Sequence, residues 1–276
     1  MKIDLFGATG FIGSKFKQKF SEEVYSHPRD NNIPEHQDIL YMISTTDNYN
    51  VFDNLYIDAN TNIIKLLQVL ENCKNKNITF NFVSSWFVYG ECCLPAKEDE
   101  CCKPKGFYSI TKKCAEDLLI SYCQTFKINY RIFRLCNVYG PNDLKTSKKK
   151  NALQYLISEI KNNKNINLYY NGDFIRDYMH VEDVCDAIHL CMKKADVNQI
   201  INIGSGKAQN FRELIDFCIK ETQSSSKITA IDAVEFHKIV QVKDMYLDNT
   251  KIQNLGFSKK IDIYDGLKQI IQTNAY

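Results

Sequence analysis

Short, unbroken apolar runs alternate with longer stretches of helical periodicity through the first half of the chain. The runs at 2–6, 23–26, 38–43, 78–83 and 130–135 predict strands, and the intervals 14–20, 53–72 and 108–126 predict helices. Strands that stay apolar without alternating are buried on both faces. The rhythm therefore predicts a parallel, doubly wound α/β sheet with helices on either side. Beyond Gly140 the pattern changes. A helix over 151–161, a strand over 166–170 and a helix over 181–193 read as mixed α/β structure, with 180–206 returning to the sheet. The expected organisation is interleaved: one unit of 1–140 with 180–206, and a smaller unit of 141–179 with 207–276.

Charge and composition exclude several partners. Thirty-five basic residues face 33 acidic ones for a net charge of +2, so no overall field draws the chain to nucleic acid. The run at 148–150 reads as a solvated lysine loop. No apolar run reaches the roughly 18 residues a membrane span needs, and the chain enters a strand at once. We therefore expect a cytoplasmic protein with no membrane contact and no leader. Eleven cysteines raise the question of a metal. The adjacent pairs Cys92-Cys93 and Cys101-Cys102 fit the usual spacing of thiolate ligands poorly, so reduced thiols and no metal site are expected. Others, such as Cys73, Cys114 and Cys185, fall in apolar patterns and read as small core residues.

The first predicted strand runs into Gly7-Ala-Thr-Gly10-Phe-Ile-Gly13 and then a helix. That is the dinucleotide-binding arrangement of a Rossmann sheet. Gly7 allows the tight turn, Gly10 lets backbone approach a pyrophosphate, and Gly13 lets helix and strand pack closely. Thr9, Phe11 and Ile12 complete the turn around the cofactor. About a hundred residues on, Tyr108-Ser-Ile-Thr-Lys112 sets a phenol and an ammonium one helical turn apart on one face. An ammonium, together with an oxidised nicotinamide, favours the phenolate and makes Tyr108 a candidate general acid/base.

These residues resemble the extended short-chain dehydrogenase/reductase superfamily, in its NAD(P)-dependent nucleotide-sugar epimerase, dehydratase and reductase branch. Four further segments carry the resemblance in the family's order: Val83-Ser-Ser-Trp-Phe-Val-Tyr-Gly90, Arg134-Leu-Cys-Asn-Val-Tyr-Gly-Pro141, Arg176-Asp-Tyr-Met-His-Val-Glu-Asp-Val184 and Asn202-Ile-Gly-Ser-Gly206. It implies Ser85, Tyr108 and Lys112 as the catalytic set, with Ser84 as the alternative hydroxyl and Lys112 also holding the nicotinamide ribose. It implies Asn137 and Arg176 at the substrate's diphosphate, with Asn151 as a weaker candidate nearby. Arg176 could instead pair with Asp177 or Asp183, and His180 reads as a structural residue at a strand-to-helix turn. Dehydratases of this superfamily carry an Asp-Glu pair directly after the strand-end hydroxyl. Here Trp86 and Phe87 stand there, so dehydration is not expected and the two rings are expected to wall a sugar pocket.

Only twenty-four residues separate Gly13 from Asp38, where related epimerases fit two strands and two helices. One βα unit is therefore expected to be missing, an economy that resembles the nucleotide-sugar ketoreductases. After the second strand comes His27-Pro-Arg29-Asp30, with no acid at the strand tip. An acid there would bind the ribose 2′-hydroxyl of NAD, whereas arginine accommodates the 2′-phosphate of NADP. Arg29 thus favours NADP, and Asp30 keeps NAD open. The leading expectation is an NADPH-dependent reductase of a 4-keto-6-deoxy nucleotide sugar. A nucleotide-sugar 4-epimerase using NAD is the alternative, and a non-catalytic dinucleotide-binding sensor or scaffold is a distant third. Both 53–72 and 108–126 carry more apolar surface than one core-facing stripe needs, with Ile57, Ile64 and Leu67 on one and Leu118, Leu119, Tyr122 and Phe126 on the other. In the resembled family these helices pair across a two-fold axis, so a homodimer is expected.

Overall fold

The computed structural model describes residues 1–46, 48–143 and 152–273. In chain order the elements are β1 (Ile3–Phe6), α1 (Phe11–Lys19), β2 (Val24–Ser26), β3 (Asp38–Tyr41), α2 (Asn50–Asp53), α3 (Lys65–Glu71), β4 (Thr79–Ser85), α4 (Phe107–Phe126) and β5 (Asn129–Leu135). There follow β6 (Asn137–Tyr139), α5 (Ala152–Lys161), β7 (Ile166–Tyr169), β8 (Ile175–Arg176), β9 (Tyr178–His180), α6 (Val181–Lys194) and β10 (Gln199–Ile203). The last are β11 (Gln209–Asn210), α7 (Phe211–Thr222), β12 (Ile228–Ile231), α8 (Glu235–Val240), α9 (Thr250–Asn254) and α10 (Ile263–Gln272).

Six strands make one sheet in the order β2-β1-β3-β4-β5-β10, parallel throughout. Successive residues of a strand point to opposite faces, and both faces are covered. Leu5, Phe133 and Ile201 meet Phe16 of α1 and Val184 and Ile188 of α6. Phe6, Ile39, Phe80 and Ile132 meet Leu66 and Leu70 of α3 and Leu119 of α4. The sheet is Rossmann-like, as the apolar runs predict. β10, from the late part of the chain, pairs with β5 as its edge strand.

The chain passes from β2 to β3 through residues 27–37 with no helix or strand between them. The expected loss of a βα unit is thus seen directly. Asp4, fully buried in β1, accepts hydrogen bonds from the backbone N–H groups of Glu35 and His36 and so ties this bare crossover down. His27 stacks on Phe6 at 4.3 Å.

The predicted helix over 53–72 is broken. Asn54 is extended (φ −156°), and a π-helical turn covers Ala59–Ile64 before α3 begins. The cause is polar. Asp58 and Asn62 turn inward and bond the loop after β3, which competes with regular helix geometry.

The remaining strands form three two-stranded pairs, β6–β9, β7–β12 and β8–β11. Their core joins α5, α7 and α10 through Leu153, Ile157, Leu214, Ile215, Leu267 and Ile270.

Candidate functional site

A cleft of about 990 Å³ runs along the carboxyl ends of the central strands and on between the sheet and the later elements. Gly7, Gly10, Phe11, Ile12 and Gly13 form one end of it. Gly7 has φ +98°, a conformation L side chains rarely adopt, and a Cβ on Gly13 would overlap the Gly7 carbonyl oxygen. Gly10 differs. A Cβ there would meet only the Gly7 oxygen, at 3.5 Å, so the fold itself does not demand glycine at that position. Its missing side chain leaves the turn's backbone open to the cleft. With the N-terminus of α1 beginning at Phe11, the turn fits a dinucleotide pyrophosphate. Thr9 is exposed and does not border the cleft, and Arg29 stands exposed on the crossover after β2, also outside its lining.

Tyr108 and Lys112 lie in the first turns of α4 and both border the cleft, together with Ser84 and Ser85 at the end of β4. Lys112 is almost fully buried. Its Nζ donates to the Val83 carbonyl at 2.8 Å and lies 4.1 Å from the centre of the Phe82 ring. Burial pushes its ammonium down to about 7, against the opposing pull of Glu116. The Ser85 hydroxyl accepts from the Phe87 N–H at 3.4 Å, which caps a short 3₁₀ turn over Trp86–Val88. The neighbouring Ser84 hydroxyl is buried with no hydrogen-bond partner among the described residues. Phe87 stands edge-on to Tyr108 at 5.7 Å and stacks on Trp86 at 3.9 Å.

Further along, Trp86 Nε1 donates to Asn137 Oδ1 at 3.3 Å, and Asn137 Nδ2 donates to the Asp177 carbonyl at 3.0 Å. Arg176 is held between the rings of Trp86 (5.5 Å) and Phe174 (4.8 Å). Its Nη1 donates to the carbonyls of Ile175 and Lys243 and its Nη2 to that of Val242. The alternative carboxylate pairings of Arg176 are not found among the described residues. Asp177 takes the N–H groups of Ser205, Gly206 and Leu247, and Asp183 those of Lys260 and Ile261. His180 Nδ1 accepts the Glu182 N–H at 3.3 Å as the cap of α6, a structural position. Asn151 and the lysines at 148–150 lie outside the described residues.

Sequence reasoning passed over the Ser44-Thr45-Thr46 run after β3, which lines the cleft. Asn62 accepts the Thr45 N–H at 2.9 Å and donates to Thr45 and to Thr111 of α4, and Thr45 also donates to Asp58. The available signal was a hydroxyl-rich run at the carboxyl end of a strand. Among the described residues no group of three or more histidine, cysteine or acidic side chains could hold a metal, and no helix is long and apolar enough to cross a membrane. All eleven cysteines are free thiols. Six of them are buried, and Cys114 is only half-buried.

Three known proteins bear on this arrangement. A Methanocaldococcus jannaschii protein provisionally named UDP-glucose 4-epimerase is 26% identical over 298 residues, covering 96% of this chain and 95% of that one. The UDP-glucuronic acid 4-epimerase of Bacillus cereus, solved with UDP-glucuronic acid and NAD, superposes with a TM-score of 0.85 at 22% identity, covering 99% of both chains. RMD from Pseudomonas aeruginosa, solved with NADPH, superposes with a TM-score of 0.84 at 19% identity, covering 98% of this chain and 97% of that one. The model of the NAD dependent epimerase/dehydratase family matches residues 32–204. With that match across the β3, β4, α4, β5 and β10 elements that line or support the cleft, the chain is a member of this family and an enzyme.

Proposed function

We propose that the protein carries out NAD(P)-dependent chemistry at C4 of a nucleotide-diphosphate sugar, as a 4-epimerase. The observation that carries this is the Tyr108–Lys112 turn, set against the end of β4 on the same cleft as the glycine turn. A nicotinamide dinucleotide would be held by the Gly7–Gly13 backbone and Lys112, and when bound it supplies hydride exchange. Tyr108 takes the proton of the C4 hydroxyl and returns it, while Ser85 hydrogen-bonds the C4 oxygen. Lys112 lies one turn along the same helix, where its charge favours the phenolate. Arg176 retains an Nε–H and one Nη2–H without a protein partner among the described residues, two donors suited to a diphosphate. Asn137 has one N–H to add.

The full-length M. jannaschii relative favours the epimerase over the reductase. Arg29 supports a second reading, an NADPH-dependent 4-keto sugar reductase. A non-catalytic sensor or scaffold has no support in an enzyme family. Incubation with a panel of nucleotide sugars separates the readings. Epimerisation yields the 4-epimer with no net change in NAD(P)H absorbance, whereas a reductase consumes NADPH with a 4-keto substrate. Neither result, across uridine- and thymidine-linked sugars, would reject C4 chemistry.

The protein is further proposed to act as an isologous homodimer. Leu66, Val69 and Leu70 are buried against the sheet, but Ile57, Ile64 and Leu67 are 37–47% exposed, and Ile110 on the neighbouring α4 is 50% exposed. Light scattering at micromolar concentration should give twice 32.0 kDa, and Ile64→Glu should return the monomer.

A further inference from the structure

The stretch of wall between the proton-transfer corner and the arginine is made of hydrocarbon. Phe87 packs on Tyr108 at one end, and Trp86 packs under the Arg176 guanidinium at the other, with the two rings stacked on each other between. Both border the cleft. Trp86 has a single polar hydrogen, and it is already given to Asn137. Phe87 has none. The wall therefore offers a ligand apolar surface and no hydrogen bond.

A hexose held by its C4 oxygen at Tyr108 and by its C1 diphosphate at Arg176 can lay one ring edge along this wall. One edge carries C2 and C3, each bearing a hydroxyl. The other carries the ring oxygen and C5. Placing the first edge against the rings would strand two hydroxyls, at roughly 1–3 kcal/mol for each unsatisfied group. The second edge strands none, provided the C5 substituent carries no hydroxyl or charge of its own.

We infer that Phe87, backed by Trp86, selects nucleotide sugars whose C5 substituent is apolar, a methyl group or a hydrogen, over those with a hydroxymethyl or carboxylate. This names the substrate class of the proposed C4 reaction and rests on that reading. An apolar pocket discriminates against an added hydroxyl by about 10–10²-fold, and that is the selectivity expected here.

The test uses glucose, 6-deoxyglucose and xylose, each linked to uridine and to thymidine diphosphate, with kcat/KM measured for the full chain. The 6-deoxy and pentose substrates should exceed glucose by about 10–10²-fold. Phe87→Ser should collapse that ratio toward unity, and the apolar control Phe87→Leu should keep it. Glucose turned over as well as 6-deoxyglucose, or a ratio unmoved by Phe87→Ser, overturns the assignment. If no sugar is turned over, the C4 reading falls, and calorimetric binding of the same compounds decides the wall. Tighter binding of the 6-deoxy and pentose compounds supports it, and equal binding rejects it.

Discussion

The two corners of the cleft are built on opposite principles. Beside Tyr108 two polar groups are buried with few partners: among the described residues Lys112 makes one hydrogen bond, to a carbonyl, and the Ser84 hydroxyl makes none. At the Arg176 corner the protein has already filled most of the valences, with three carbonyls on the guanidinium and both ends of the Asn137 amide engaged. Burial lowers the pKa of both cations. Only the lysine is brought to about 7, since a guanidinium stays charged in a protein. One corner keeps its proton balance adjustable, and the other fixes a position.

Removing the phenol strikes the first corner hardest. Tyr108→Phe should lower turnover by roughly 10²–10⁴-fold, the usual worth of a positioned acid/base, with the melting temperature and cofactor affinity close to wild type. A variant retaining near-normal rate would remove Tyr108 from proton transfer.

Lys112→Met should lose activity yet gain stability. The folded value near 7 lies below the ordinary lysine value of 10.5, so folding of the ligand-free protein opposes the charge most strongly below pH 7. That opposition fades as pH rises from about 7 to 10.5, and stability from this group rises with it. At neutral pH the methionine variant should be more stable, and the gain should shrink in alkaline buffer. Thermal melts at two pH values check it, and a destabilised variant would contradict the picture of a poorly satisfied lysine.

The second corner should fail in a different parameter. Arg176→Lys keeps the charge but not the planar fork, so KM for the nucleotide sugar should rise about tenfold or more with a smaller change in kcat. Stability should fall by about 2 kcal/mol as carbonyls of 175, 242 and 243 lose donors. A pure kcat effect would erase the distinction between the corners.

The smallest effect belongs to the exposed loop. Arg29→Ala should shift preference from NADPH toward NADH by a few-fold, since an exposed charge contributes about 1 kcal/mol or less. Equal titrations of the two cofactors in the variant and wild type would take Arg29 out of the 2′-phosphate site.

How far the chain could be read depended on how local each constraint was. The turn at Gly7–Gly13 and the Tyr108–Lys112 spacing are short-range geometry, visible in any window that contains them. The broken helix after Asp53 was not legible, because Asp58 and Asn62 face a loop thirteen to eighteen positions away in sequence. The carbonyl partners of Arg176 were not legible for the same reason. Two lie at 242 and 243, and the bridge between Arg176 and Met245 brings that segment beside β8.

By itself the sequence determined the sheet, the dinucleotide turn and the residues able to move a proton, since apolar periodicity and glycine placement act within a strand, a turn or a helix. The tertiary structure decided which groups are dry. The Lys112 ammonium comes down to about 7 only because the fold buries it, against the pull of Glu116. Phe87 becomes a wall only because α4 sets Tyr108 against its edge. Burial depends on what the rest of the chain brings to a residue, and no window of sequence holds that.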